Sequence, residues 1–178
     1  YMSKTDVDNI YTKQEDYIKN PKDQFKRILH WIEQEIDVEK EYTLIDLGCA
    51  QGELIHFLRS RLENVSFTGI DSSERLIKLA RENHKEGVDF YVADIEKYST
   101  HKKYDFLVIC GVIEYLDYPA KIVKKMGSML KGDGKAIIIN IFNEHDIDVR
   151  VRYRNNKYFN DFRKGWSLHS LDTFKRVL

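Results

Sequence analysis

Apolar and polar positions along this chain fall into blocks whose period keeps switching. Residues 3–19 are polar, with Ile10, Tyr11, Tyr17 and Ile18 as anchors of a loose arm or short helix. Asn20-Pro21 predicts a helix start, with Asn as the N-cap and Pro in the first helical position. Phe25, Ile28, Leu29 and Ile32 then recur at helical spacing. A charged connector, Glu39-Lys40-Glu41, leads into a strand over 42–47. Further helical faces appear at Leu54, Phe57, Leu58 and Leu62, at Leu76, Ile77, Leu79 and Ala80 behind a Ser72 or Ser73 cap, and at Ile122, Val123, Met126 and Leu130 after Pro119. Between them lie strand-like runs at 65–71, 88–93 and 104–110, then, after a tight turn at Gly132-Asp133-Gly134, at 135–142. The last two runs are nearly all apolar, as parallel strands buried on both faces are.

This alternation predicts an α/β fold: a Rossmann-like, doubly wound, mainly parallel sheet with helices on both faces, a three-layer sandwich. Right-handed crossovers bring the carboxyl ends of all strands to one edge, where such sheets bind ligands. Gly48, Asp71, Asp94 and Gly111 all fall at strand ends.

Composition narrows the function classes. A chain of 178 residues with 42% hydrophobic and 33% charged residues suits one soluble domain. Lys plus Arg and Asp plus Glu are both 29, so no protein-wide field draws it to nucleic acid or anionic membrane. Nucleic acid is not an expected partner. Cys49 and Cys110 without a clustered His give no metal signature, and they make no disulfide scaffold. With no membrane-length apolar run and a polar start that is no signal peptide, a cytoplasmic location is expected.

The chemistry gathers around Leu44-Ile45-Asp46-Leu47-Gly48-Cys49-Ala50-Gln51-Gly52-Glu53-Leu54: strand, tight turn, helix. Gly48 and Gly52 let the backbone turn sharply and approach a ligand closely. Asp71 follows Gly52 by 19 residues and can accept hydrogen bonds from both hydroxyls of a ribose bound over the turn. Asp94 can accept from an adenine amino group. Asp46 is placed to support the turn or to meet a cationic amino group. Taken singly, each Asp equally reads as a cap or turn residue; three on one edge favour a cofactor. A nicotinamide site wants G-x-G-x-x-G, which Gly48-Cys49-Ala50-Gln51-Gly52-Glu53 does not supply.

The set resembles the class I S-adenosylmethionine-dependent methyltransferases over residues 20–142. Ile45–Gly52 is similar to that family's glycine-rich first motif, with Ala50 where a third glycine is frequent. Gly69-Ile70-Asp71 is similar to the second motif, Ala93-Asp94-Ile95 to the third, Tyr104–Leu116 to the fourth and Leu130–Lys135 to the fifth. The resemblance implies S-adenosylmethionine as cofactor and S-adenosylhomocysteine as product. It places the cofactor along Asp46, Gly48, Cys49, Ala50 and Gly52, with Asp71 and Ser72 at the ribose, Asp94 and Ile95 at the adenine, and Cys110, Gly111 and Val112 lining the methionine end. It divides the chain into an N-terminal arm and helix (1–41), a cofactor core (42–143), a lid or substrate segment (144–168) and a final helix (169–178). The family's sheet ends in an antiparallel pair of strands that this sequence does not reach, so the sequence is partial or the sheet is completed in another way.

On the acceptor side, the fourth motif lacks the Asp/Asn-Pro-Pro-Tyr sequence used on amino groups of nucleobases or glutamine, which points to a small-molecule acceptor. His145 is the candidate general base; the alternative is a solvated loop histidine. Arg150, Arg152, Arg154, Lys157, Arg163 and Lys164 interleave with Tyr153, Tyr158, Phe159, Phe162 and Trp166. That stretch is either an amphipathic lid or a face for an anionic substrate or RNA bases, and in both cases it is expected over the active-site mouth. Two other functions share the cofactor motifs: a non-catalytic S-adenosylmethionine-binding partner subunit, and an RNA methyltransferase. The acceptor atom and the oligomeric state are not legible in the sequence.

Overall fold

A computed structural model describes residues 20–84, 86–116, 118–155 and 161–176. The predicted arm at 3–19 and the end of the predicted final helix at 177–178 lie outside the described residues. The first helix, α1, spans Asp23–Glu33 and buries Phe25, Ile28 and Ile32. It begins later than Asn20-Pro21 predicts. Lys22 keeps an extended backbone (ψ 143°) and is the N-cap. Its carbonyl accepts from Phe25 N at 2.9 Å, and Asp23 supplies negative charge to the first turn.

Five strands then alternate with helices: β1 (Tyr42–Leu47), α2 (Glu53–Arg59), β2 (Val65–Asp71), α3 (Glu74–Asn83), β3 (Val88–Val92), β4 (Tyr104–Cys110), α4 (Pro119–Met129) and β5 (Leu130–Ile139). A short 3-10 turn, Ile113–Tyr115, separates β4 from α4. The strands form one sheet in the order β3-β2-β1-β4-β5, and every pairing in it is parallel. This is the expected doubly wound arrangement. The order reverses between β1 and β4, so a crevice opens where the chains leaving those two strands diverge.

Each face has its own apolar layer. On one, Phe25, Ile28 and Ile32 of α1, Leu54, Ile55, Phe57 and Leu58 of α2, and Ile77 and Ala80 of α3 pack on Leu44, Phe67, Phe90 and Phe106. On the other, Ile122, Val123, Met126 and Met129 of α4 join Ile45, Leu47, Ile70, Leu107 and Ile109. β1 and β4 are buried on both sides, which explains their unbroken apolar runs.

β5 departs from expectation twice. The glycine turn at 132–134 is looped out within the strand rather than preceding it, because pairing steps from Tyr104↔Leu130 to Phe106↔Lys135. The strand is also an edge, with Lys135 and Ala136 exposed, instead of a core strand.

A second, three-stranded sheet follows in the order β6-β8-β7, from β6 (Phe142–Asn143), β7 (Val149–Tyr153) and β8 (Arg163–Ser170). β7 and β8 run antiparallel, and β8 packs on the 3-10 turn after β4. The final helix, α5 (Leu171–Lys175), starts at Ser170 as predicted, whose Oγ accepts from Asp172 N at 3.0 Å. Phe174 seats α5 edge-on against Phe142, with centroids 5.0 Å apart.

Candidate cofactor site

The glycine turn is built from three residues with positive φ: Gly48 (87°), Ala50 (50°) and Gly52 (86°). Gly48 and Cys49 N–H groups both reach Ile70 O, at 2.7 and 2.9 Å, so the turn folds over the end of β2. Gly52 N closes it on Cys49 O at 2.9 Å. A Cβ on Gly48 would stand 2.4 Å from Val112 Cγ2 and one on Gly52 would stand 2.9 Å from His84 Nε2. Both glycines are therefore required by φ and by space.

Asp71 latches this turn to the next strand end. Its Oδ2 accepts from Ala50 N at 3.0 Å and its Oδ1 from Ser73 N at 2.8 Å. Burial pushes its carboxyl up, and the backbone N–H groups of Ser73, Ala50 and Ser72 oppose that. With three N–H donors on about four lone-pair sites, the carboxylate keeps room for a further donor. Ser72 is exposed beside it, and Ser73 rather than Ser72 caps α3, accepting from Leu76 N at 3.3 Å. Ala93 N bonds Asp71 O at 2.9 Å and joins the ends of β2 and β3. Asp94, half-exposed, accepts from Glu96 N at 2.9 Å. Ile95 is buried in the second apolar layer. At the end of β4, Gly111 has φ 68° and bonds Ile139 O through its N–H at 2.9 Å. A Cβ there would meet nothing within 4 Å, so the backbone faces open space.

The electrostatics under the turn are one-sided. Asp46, 2% exposed, is pushed up to about 8 by burial and then by the Asp71 and Glu53 carboxylates. Glu53 is buried at the first position of α2, and burial raises it too, against its own backbone N–H, Lys22 and the Gln51 side chain, whose Nε2 donates to Glu53 Oε1 at 3.3 Å. Burial pushes the Cys110 thiol up to about 12 and the Cys49 thiol higher still, so neither is a nucleophile. A left-handed turn carried on a cluster of buried carboxylates suits a ligand that brings positive charge and hydroxyl donors together.

The sequence profile described as a methyltransferase domain matches residues 38–171. The chain belongs to this methyltransferase-domain family. It is 28% identical over 123 residues to putative methyltransferase 235L of Invertebrate iridescent virus 6, covering 69% of this chain and 46% of that protein. With malonyl-[acyl-carrier protein] O-methyltransferase 2 of Ilyobacter polytropus it shares 26% over 144 residues, 80% of this chain and 55% of the relative. The chain thus spans about half the length of these curated relatives. Among solved structures, coclaurine N-methyltransferase bound to N-methylheliamine and S-adenosylhomocysteine superposes with a TM-score of 0.69 at 17% identity, over 86% of this chain and 47% of that one. DesVI of Streptomyces venezuelae gives 0.68 at 13% identity, over 99% and 89%. At these identities the structures share the fold.

Within the methyltransferase domain, Gly48, Cys49, Ala50, Gly52 and Asp71 come together as one hydrogen-bonded unit, with Asp46 coupled to it through the Asp71 charge, and Val112 packs directly under Gly48. His145 instead stands exposed in the loop after β6, its backbone N–H bonded to Asn143 Oδ1 at 3.1 Å. Part of the predicted lid, 156–160, lies outside the described residues; the rest is the β7–β8 hairpin. Two polar residues at the turn escaped the sequence reading. Glu53 carried a signal, an acid directly after Gly52. His84 carried none: it is 5% exposed and lies beside Gly52, Phe90 and the His56 ring 5.3 Å away. Among the described residues no cluster of His, Cys, Asp and Glu fits a metal ion, and no helix is long and apolar enough to cross a membrane.

Proposed function

We propose that this domain binds S-adenosylmethionine at the Gly48–Gly52 turn and transfers its methyl group to a small-molecule acceptor. The observation that carries the reading is the left-handed turn latched by its Ala50 N–H to the Asp71 carboxylate, with buried acids beneath it. Asp71 retains acceptor capacity for ribose hydroxyls, and Asp94 and Ile95 flank the adenine end. Gly111, facing open space, leaves room at the methionine end, with Cys110 and Val112 beside it. Asp46 holds a proton at neutral pH in the free protein and gives it up as a cationic ligand settles nearby. When bound, the cofactor supplies an electrophilic methyl carried on a sulfonium sulfur.

Alignment of the acceptor can provide roughly 7–11 kcal/mol of the barrier lowering, so transfer does not require a general base. The acceptor side is formed by the 3-10 turn and the β7–β8 hairpin. Tyr115 and Tyr118 are more than half exposed there, and the Arg150 guanidinium lies 5.8 Å above the Tyr118 ring. The malonyl-[acyl-carrier protein] and tetrahydroprotoberberine enzymes among the relatives support a small or carrier-bound acceptor over a nucleic acid.

Calorimetric titration with S-adenosylmethionine and S-adenosylhomocysteine, with NADH as control, tests the cofactor. Micromolar binding of the first two and none of NADH is expected. A folded protein that binds neither overturns the proposal.

A further inference from the structure

The connection from β3 to β4 carries no helix, so the turn at 94–98 that follows β3 has no helix of its own to rest on. Its internal bonds converge on Asp94. Lys97 N and Tyr98 N reach Asp94 O at 2.9 and 2.7 Å, and Glu96 N reaches Asp94 Oδ1 at 2.9 Å. These bonds shape the turn without fixing where it sits against the sheet. Its placement comes from α4. Ile95 is buried in the apolar layer that holds Ile122 and Met126 of that helix. From the same helix the Lys125 ammonium donates to Ile95 O at 3.3 Å and to Glu96 O at 3.2 Å. A second lysine, Lys103, donates to Ser128 O of α4.

The two lysines hold different ends of the connection. Lys103 directly precedes β4 and so lies at the sheet edge away from the carboxyl ends of the strands. Lys125 lies at the turn that carries Asp94. Burial holds its ammonium below the usual lysine range, while the Asp94 and Glu96 carboxylates favour its charge. The charge of Lys125 therefore faces Asp94 while its N–H donors hold the carbonyls of the next two residues. Hydrogen bonds from a charged donor are stronger than those between neutral groups, so this side chain is the main polar tie between α4 and the turn.

We propose that Lys125 is a positioning residue for the cofactor: by holding the Ile95 and Glu96 carbonyls it fixes where the Asp94 carboxylate stands, and so sets selectivity for adenine over a 6-oxo base. The inference rests on the proposed function, with Asp94 accepting from the adenine amino group. A 6-oxo base presents an acceptor in place of that amino donor. A carboxylate held in place rejects it, because two acceptors then face each other unpaired; a carboxylate on a loose turn can move aside.

The test titrates the whole protein calorimetrically with S-adenosylhomocysteine and with S-inosylhomocysteine, its 6-oxo counterpart. Wild type should bind the adenine ligand at least about tenfold more tightly. Lys125→Met should weaken S-adenosylhomocysteine about 5–20-fold and S-inosylhomocysteine by less than about twofold, so that the ratio collapses. Lys125→Arg keeps the charge and the donors and should restore most of the ratio. Lys103→Met removes the other tie to α4 and should leave both affinities unchanged. In an Asp94→Ala background Lys125→Met should have little further effect, since its route to the ligand is gone. Circular dichroism checks each fold, and Lys125→Gln replaces the Met variant if that one unfolds. A folded wild type that does not bind S-adenosylhomocysteine overturns the proposed function and this inference together. Wild-type binding without preference for adenine, an unchanged ratio in the Lys125 variant, or equal weakening of both ligands overturns this inference alone.

Discussion

Asp46 and Arg150 mark two regions that treat charge in opposite ways. Asp46 lies within the parallel sheet, 2% exposed, with burial first and then two further carboxylates pushing its pKa up. Arg150 lies on the surface of the small sheet, with its charge over an exposed tyrosine ring. Beside Asp46 the backbone N–H groups of Gly48, Cys49, Ala50 and Gly52 are all hydrogen-bonded, and neighbouring groups leave no room for a methyl group on Gly48 or Gly52. Around Arg150 the large apolar side chains face water: Ile141 is 76% exposed, Phe162 60% and Trp166 49%. The first region is built to hold one fixed shape under electrostatic cost. The second leaves apolar surface uncovered, as surfaces that meet another molecule do. A cofactor common to a whole family suits the first, and an acceptor particular to one protein suits the second.

The comparison breaks first at Gly48. Gly48→Ala puts a Cβ 2.4 Å from Val112 Cγ2 at a φ of 87°, so both strain and overlap oppose it. A loss of about 3 kcal/mol is expected in urea unfolding, together with loss of S-adenosylmethionine binding. Wild-type stability in this variant would mean that the turn is far more pliable than its bonding pattern implies.

The next effect is electrostatic. Asp46 has its pKa raised in the folded state from 3.8 to about 8, so the folded protein holds a proton that the unfolded chain releases. Its contribution is harmless below pH 4 and becomes destabilising as pH rises towards 8, where the penalty levels off. His84 acts on the other side: burial lowers it from 6.5 to about 4, and stability is lost as pH falls through that window. Asp46→Asn should raise stability at pH 8–9 by about 2 kcal/mol while leaving pH 4 nearly unchanged. A pH-independent gain would show that the carboxyl is not the source. In the intact protein, cofactor affinity should rise between pH 7 and 9, because ionised Asp46 favours a cation.

Asp71→Ala comes third. It removes the acceptor for Ala50 N–H along with the proposed ribose contact. Cofactor affinity should fall tenfold or more, about 1.4 kcal/mol. Unchanged affinity would return Asp71 to a purely structural latch.

What the sequence made legible follows the same division. The glycine turn, the alternation of strands and helices, and the Ser170 cap depend on local spacing, and all appear where the pattern places them. Burial of His84 depends on which elements stack on it, and no local signal carries that. Two of the departures from expectation have physical causes of the same kind. Lys22 stayed extended despite the preceding Asn20-Pro21, and the Ile-rich β5 lies at an edge although its composition reads as core. Hydrophobicity reports that a strand wants cover, not whether cover is present.

The smallest expected effect on stability tests the second region most sharply. Trp166→Ser on β8 and Ile141→Ser before β6 each remove a large exposed side chain, 49% and 76% exposed, so each should change unfolding free energy by less than about 0.5 kcal/mol. Cofactor titration should be unaltered, since neither touches the Gly48–Gly52 turn. If the β6–β8 sheet meets the acceptor, turnover with an accepted substrate should fall through a higher KM, because contact area common to ground and transition states has been removed. A drop in stability above 1 kcal/mol would instead assign these side chains to the core, and the contrast between a rigid cofactor half and an open acceptor half would fail at that point.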